Sequence, residues 1–129
     1  MSKITAKLND GLAVRLTDGQ HEWLADEPES AGGTDQGPDP YKLLLGALAA
    51  CTCITIAGYC RHKNLPLESV TASLSFSRVH ADDCVQCDES DTGFVEQIST
   101  EVHIRGDFDE KQKKRLAQIA TRCPVNKTL

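Results

Sequence analysis

The sequence predicts an α+β fold. Short strand patterns come first, then one long uncharged helix, then two longer strands and a final helix. This segregated order differs from the regular strand–helix alternation that builds a parallel sheet. No internal repeat is present, and 129 residues (1–129) read as one domain, large enough to bury a core without disulfide or metal support.

The first strands are expected at Lys3–Leu8, Leu12–Leu16 and Glu22–Ala25. Asn9-Asp10-Gly11 and Asp18-Gly19 separate them, and these residue types tolerate the positive φ of tight turns. A small antiparallel sheet follows. Met1 to Asp10 hold no apolar run of the secretory type. Glu27–Asp39 (EPESAGGTDQGPD) has glycines, prolines and no periodicity, and reads as a loop.

Asp39 can cap a helix, and Pro40 suits its first position because the missing N–H is not needed there. The helix is expected from Pro40 to about Lys63, roughly 36 Å long at 1.5 Å per residue. Asn64 and Pro66 stop it, and Arg61 and Lys63 suit the negative end of its dipole. Leu43 to Cys60 carry no charge, which touches the lower length limit for a membrane span. Gly46, Thr52, Thr55 and Gly58 weaken its apolar character, so a helix buried all round in a soluble protein is expected. Gly46, Ala47, Ala49 and Ala50 would let another helix approach closely.

From Ser69 to Val79, Val70, Ala72, Leu74 and Phe76 alternate with Thr71, Ser73, Ser75 and Ser77, the pattern of a half-buried strand. A polar loop, His80 to Gly93, leads to a second strand, Phe94 to Arg105, with Ile98, Thr100, Val102 and Ile104 on one face. Gly106-Asp107 turns the chain. Asp109 then caps a helix through Arg122 whose apolar stripe is Leu116, Ile119 and Ala120.

Fourteen Lys and Arg against 19 Asp and Glu give a net charge of −5. That argues against a nucleic-acid or anionic-membrane surface, which needs clustered positive charge. At 5% aromatic residues, base-stacking platforms are equally unexpected. Six cysteines are many for this length. With a cytoplasmic, reducing setting as the expectation, they must serve packing, metal binding or redox chemistry.

Cys51, Cys53 and Cys60 share the long helix. At about 100° per residue, Cys53 and Cys60 share one face but stand about 10 Å apart, too far for a disulfide; both read as small core residues. Cys51 lies on the other face and by itself also reads as core. Cys123 directly precedes Pro124, which reads as N-cap and first helical position, a setting that favours thiolate. The alternative is a buried cysteine ending the second helix. Cys84 and Cys87 form a C-x-x-C with His80 and Asp83 nearby. They are candidate metal ligands, although the spacing matches no strong zinc pattern and a thioredoxin-type pair should open a helix. A solvated acidic loop is the other reading. His21 and His103 read as exposed strand residues.

GPDPYKLLLGALAACT (Gly37–Thr52), followed about seventy residues later by RCPVNKTL (Arg122–Leu129), resembles the OsmC/Ohr family of thiol-dependent hydroperoxide reductases. GGTDQGPDPY and VHADDC (Val79–Cys84) resemble its OsmC-like branch most. The resemblance implies an OsmC-like fold in which antiparallel sheets pack around long central helices of an intertwined two-fold homodimer. It makes Cys51 the peroxidatic cysteine and Cys123 the second redox cysteine. The implied cycle serves oxidative-stress defence and needs no metal or other cofactor. Thiolate attacks an organic hydroperoxide, the sulfenic acid condenses to a Cys51–Cys123 disulfide, and a dithiol reductant (a lipoyl protein or a thioredoxin-like one) reopens it.

Family members carry a Glu early in the long helix, bonded to an Arg beside the peroxidatic thiolate. Tyr41 occupies that position here, next to Lys42, and Arg15 and Arg78 are the cationic candidates. Members usually continue into a further strand, whereas six residues follow Cys123 here. Tyr41 motivates a second reading, a non-enzymatic redox- or electrophile-sensing or small-molecule-binding protein of the same family. Metal binding through His80, Asp83, Cys84 and Cys87 is a third.

Overall fold

The structure is a computed structural model. It describes residues 2–80 and 94–129, with the side chains of 78–80 and 94–95 outside the description. The chain divides into two compact units, Met1–Leu44 and Leu45–Leu129.

The first unit carries a three-stranded antiparallel sheet of β1 (Thr5–Leu8), β2 (Val14–Thr17) and β3 (Glu22–Ala25), in that order. Leu8 pairs with Val14, and Val14 with Ala25. Gly11 and Gly19 take φ of 63° and 97° in the two turns, as the Asn/Asp-Gly pattern requires. Asp18 organises the second turn. Its carboxylate accepts the Gln20 and His21 backbone N–H groups at 2.8 and 2.5 Å and pairs with the His21 ring at 2.8 Å. The hydrogen bonds from the His21 backbone, foremost, and its ring hold the Asp18 carboxyl well below its usual range.

The segment after β3 is more ordered than its composition suggests. A 3-10 turn occupies Glu29–Ala31, and the rest wraps around Asp26, which is 2% exposed. That carboxylate accepts the Glu27 N–H (2.7 Å), the Thr34 N–H and hydroxyl (3.3 and 2.8 Å) and the Gln36 N–H (3.1 Å). These bonds, led by that from Gln36, outweigh the cost of burial and lower the carboxyl pKa. A Cβ at Gly37 would collide with the Leu24 carbonyl, so glycine permits this close return of the loop.

Helix α1 (Pro40–His62) begins as expected, with the Asp39 carboxylate accepting the Lys42 N–H at 2.9 Å. It ends one residue early in a Schellman motif. Asn64 adopts φ 55°, Asn64 N–H bonds the Arg61 carbonyl and Leu65 N–H bonds the Cys60 carbonyl. Only Leu48, Thr52, Ile56 and Cys60 are buried, one stripe at four-residue spacing. The expectation of a helix buried all round is therefore not met within the chain. Ala47, Ala50, Ile54 and Gly58 form an exposed face, with Ile54 71% exposed. By length and composition α1 is apolar enough to cross a membrane, and 22% of its most apolar window is buried. The helix is apolar on every side, but the second unit covers only one of them.

In that unit β4 (Leu67–His80) and β5 (Phe94–Gly106) form a long antiparallel pair, irregular between Leu67 and Ser69. Val70, Ala72 and Leu74 face Ile104, Val102 and Thr100, the alternation read from the sequence. Ile56, Cys60, Phe108 and Leu116 form the core, with Val70, Val102 and Ile104 packed against it. Each large aliphatic or aromatic side chain buried there contributes about 1.5–3 kcal/mol.

Helix α2 (Glu110–Ala120) opens with a capping box, in which Asp109 and Gln112 exchange side-chain to backbone bonds of 2.7 and 3.0 Å. It stops at Ala120 rather than Arg122. The Thr121 hydroxyl donates to the Gln118 carbonyl at 2.7 Å, and the Arg122 N–H reaches back only three residues to Ile119. The chain then extends through Cys123 and restarts as α3 (Pro124–Thr128).

Candidate active site

The early end of α2 and the restart at Pro124 place Cys123 at a helix N-cap, buried at 1% exposure. Cys51 sits at mid-length on α1, half-buried. The structure joins the two as a disulfide, with Cα atoms 5.7 Å apart across a sequence separation of 72. That spacing lies within the ordinary range for the bond. Cys51, which by itself reads as a core residue, is here half-buried and joined to Cys123. Cys123 has the N-cap position expected of it, but its sulfur bonds Cys51 and makes no capping hydrogen bond. The Thr55 hydroxyl lies 4.0 Å from Cys51 Sγ, one turn along the same helix.

Cys123 also forms part of the wall of a cavity of about 650 Å³ within the second unit. Its floor is the inward face of the strand pair, including Leu74, Ile98, Val102 and Ile104, and Leu48 and Thr52 of α1 contribute another side. Ala117 and Ala120 of α2, with Thr121 at its C-cap, form a third. The disulfide thus stands at the border of a hollow lined mainly by aliphatic side chains, a surface suited to an alkyl-bearing molecule.

The remaining cysteines divide. Cys60 is buried in the core, and burial pushes its thiol pKa up. Cys53 is half-buried, with its thiol 3.9 Å from the Val70 carbonyl. Both are free thiols, in keeping with packing roles. Asp83, Cys84 and Cys87 lie outside the described residues, and of His80 only the backbone is described, at the end of β4. Among the described residues no three His, Cys, Asp or Glu gather as a metal site.

Of the cationic candidates, Arg15 lies 3.8 Å from Glu22 in an exposed pair on the first unit's sheet, and the Arg78 side chain is outside the description. Tyr41 is exposed near the start of α1. His21 and His103 are exposed and pair with Asp18 and Glu101, both at 2.8 Å. The sequence reading missed Lys113 and Asn126, which line the cavity. The spacing of Lys113, Ala117 and Ala120 along one helical stripe was the signal available for the first.

A family model described as OsmC-like protein matches residues 33–129. Known structures are similar over nearly the whole chain. The organic hydroperoxide resistance protein OhrB of Bacillus subtilis is 24% identical with a TM-score of 0.63, covering 99% of this chain and 89% of its own. An OsmC-like protein of Mycoplasma pneumoniae is 22% identical with a TM-score of 0.75, covering 99% and 86%. An organic hydroperoxide resistance protein OsmC of Legionella pneumophila is 22% identical with a TM-score of 0.67, covering 99% and 88%. At these identities the likeness establishes the fold. No curated protein matches the chain.

Proposed function

The chain belongs to the OsmC-like protein family, and from that premise we propose that it is a cysteine-based peroxidase that reduces organic hydroperoxides. The observation that carries this reading is the Cys51–Cys123 disulfide beside an apolar cavity. Two of the similar structures are named for organic hydroperoxide resistance, which supports the substrate class.

In the reduced protein the Cys51 thiolate attacks the terminal peroxide oxygen. The O–O bond breaks, the alkoxide takes a proton and leaves as the alcohol, and Cys51 becomes a sulfenic acid. The Cys123 thiolate then attacks that sulfur. Hydroxide leaves and combines with the thiol proton as water, and the disulfide forms. A dithiol reductant returns two electrons: one of its thiolates opens the bond as a mixed disulfide, and its second closes on the first and releases both cysteines. The resolving thiol is needed because a second hydroperoxide molecule would oxidise an untrapped sulfenic acid to the irreversible sulfinic acid.

A two-fold homodimer in a reducing cytoplasm belongs to the same proposal. The exposed face Ala47, Ala50, Ile54 and Gly58 supports it, because a second copy would cover small and apolar side chains that the chain itself leaves open. The proposed cycle needs no metal or cofactor.

The test is hydroperoxide consumption by two variants. Cys51→Ser loses it altogether, whereas Cys123→Ser consumes one equivalent and retains a sulfenic acid that a dimedone-type reagent captures. Full consumption by Cys51→Ser rejects the assignment. Tyr41, at the position of the family's helix Glu, favours one alternative: a non-enzymatic sensor using the same thiol pair. Competition kinetics separate the two, since a Cys51 rate no faster than that of a free thiol of equal pKa identifies the sensor.

A further inference from the structure

We infer that Lys113 is a specificity-determining residue that reads an anionic head group, so that the preferred occupant of the cavity is an amphiphile with a carboxylate at the end remote from the cysteines. This rests on the proposed hydroperoxide chemistry for the reactive end and on the cavity alone for the anionic end. Among the described residues lining the cavity, Lys113 has the one charged side chain; the other side chains are aliphatic, small or neutral polar. Its ammonium has an exposed partner, Glu110, 3.5 Å away. An exposed pair of this kind is held by only a few tenths to about 1 kcal/mol, so an incoming carboxylate can displace it.

The placement sets a length. Lys113 of α2 and Thr121 at the helix C-cap both line the cavity, eight residues apart, and Cys123 follows two residues later. Eight residues span about 12 Å of helix axis. Helical side chains lean toward the N-terminus, which carries the Lys113 ammonium away from the sulfur end. An extended chain of about ten carbons bridges roughly 12 Å. Between the two ends the wall offers Ala117, Ala120, Val102 and Ile104, which solvate an alkyl chain and give no partner to a second polar group.

The test uses decanoate and methyl decanoate, which cannot react, with wild type, Lys113→Met and Lys113→Arg, each titrated calorimetrically. Wild type and Lys113→Arg prefer the acid, and Lys113→Met weakens the acid about three- to fivefold while narrowing its lead over the ester. With 10-hydroperoxydecanoate and its methyl ester, the acid-to-ester ratio of kcat/KM falls by a similar factor in Lys113→Met, through KM. Wild type that binds ester as well as acid, or Lys113→Met that keeps the full preference, overturns the inference. Should wild type consume neither hydroperoxide, the peroxidase reading fails, and the decanoate titrations still decide the role of Lys113.

Discussion

Reducing the Cys51–Cys123 bond should destabilise the fold by an amount that its loop length sets. The bond closes a separation of 72 residues. In the chain-entropy description, a loop of that length removes about 4 kcal/mol of freedom from the unfolded chain at 25 °C. For a chain of this size the entropy of unfolding is about 0.27 kcal/mol/K, so the oxidised protein should melt about 15 °C above the reduced one. The assay is a thermal melt by circular dichroism with and without excess dithiothreitol, repeated on Cys51→Ser. Wild type should lose most of this interval on reduction, and Cys51→Ser should melt at one temperature under both conditions. An oxidised form no more stable than the reduced form would refute the reasoning. It would mean that the native fold resists the approach of the two sulfurs as much as the cross-link restricts the unfolded chain.

Ile56 has no exposed surface and lies in the core with Leu116 and Phe108. Ile56→Ala should cost about 2–5 kcal/mol in urea unfolding, and a loss under 1 kcal/mol would show that the core closes over the gap. Asp26 gives a pH signature. Its carboxyl is held below the usual value of 3.8, so its contribution to stability is complete above about pH 4 and is lost as pH falls toward its folded pKa. Asp26→Asn should lower the melting temperature at pH 7 and flatten the decline below pH 4, with Asp18 left to supply the remainder. An amide supplies one acceptor oxygen where the loop N–H groups need two. Unchanged melting at pH 7 would contradict this account of the loop. Cys60, with its thiol pKa pushed up, should react with a maleimide far more slowly than Cys53 at pH 8 in the native protein; equal rates would place its sulfur outside the core.

Local signals were legible in the sequence. The Asp39-Pro40 start of α1 and the alternation in β4 and β5 each depend on residues within a few positions, and β3 falls at Glu22–Ala25 as read. The ordering of the loop after β3 was not legible, because Asp26 bonds Thr34 and Gln36, eight and ten residues on, and such reach leaves no period. The end of α2 shifted because the Thr121 hydroxyl takes the Gln118 carbonyl, a choice that helix periodicity does not encode. At the site, the position of Cys123 beside Pro124 was readable locally. Its partnership with Cys51 was not: 72 residues separate them, and only the family resemblance suggested it. The exposed side of α1 escaped for a different reason. An apolar helix predicts burial, and the sequence does not say whether the covering surface is its own.

The central claim is that an organic hydroperoxide oxidises Cys51 and that Cys123 captures the product. Fully reduced protein should therefore be given one equivalent of cumene hydroperoxide, quenched with an alkylating reagent and mapped by peptide mass. The account predicts one equivalent of cumyl alcohol, a Cys51–Cys123 cross-linked peptide pair, and Cys53 and Cys60 alkylated as free thiols. Recovery of Cys51 and Cys123 as free thiols with the hydroperoxide unconsumed would contradict it.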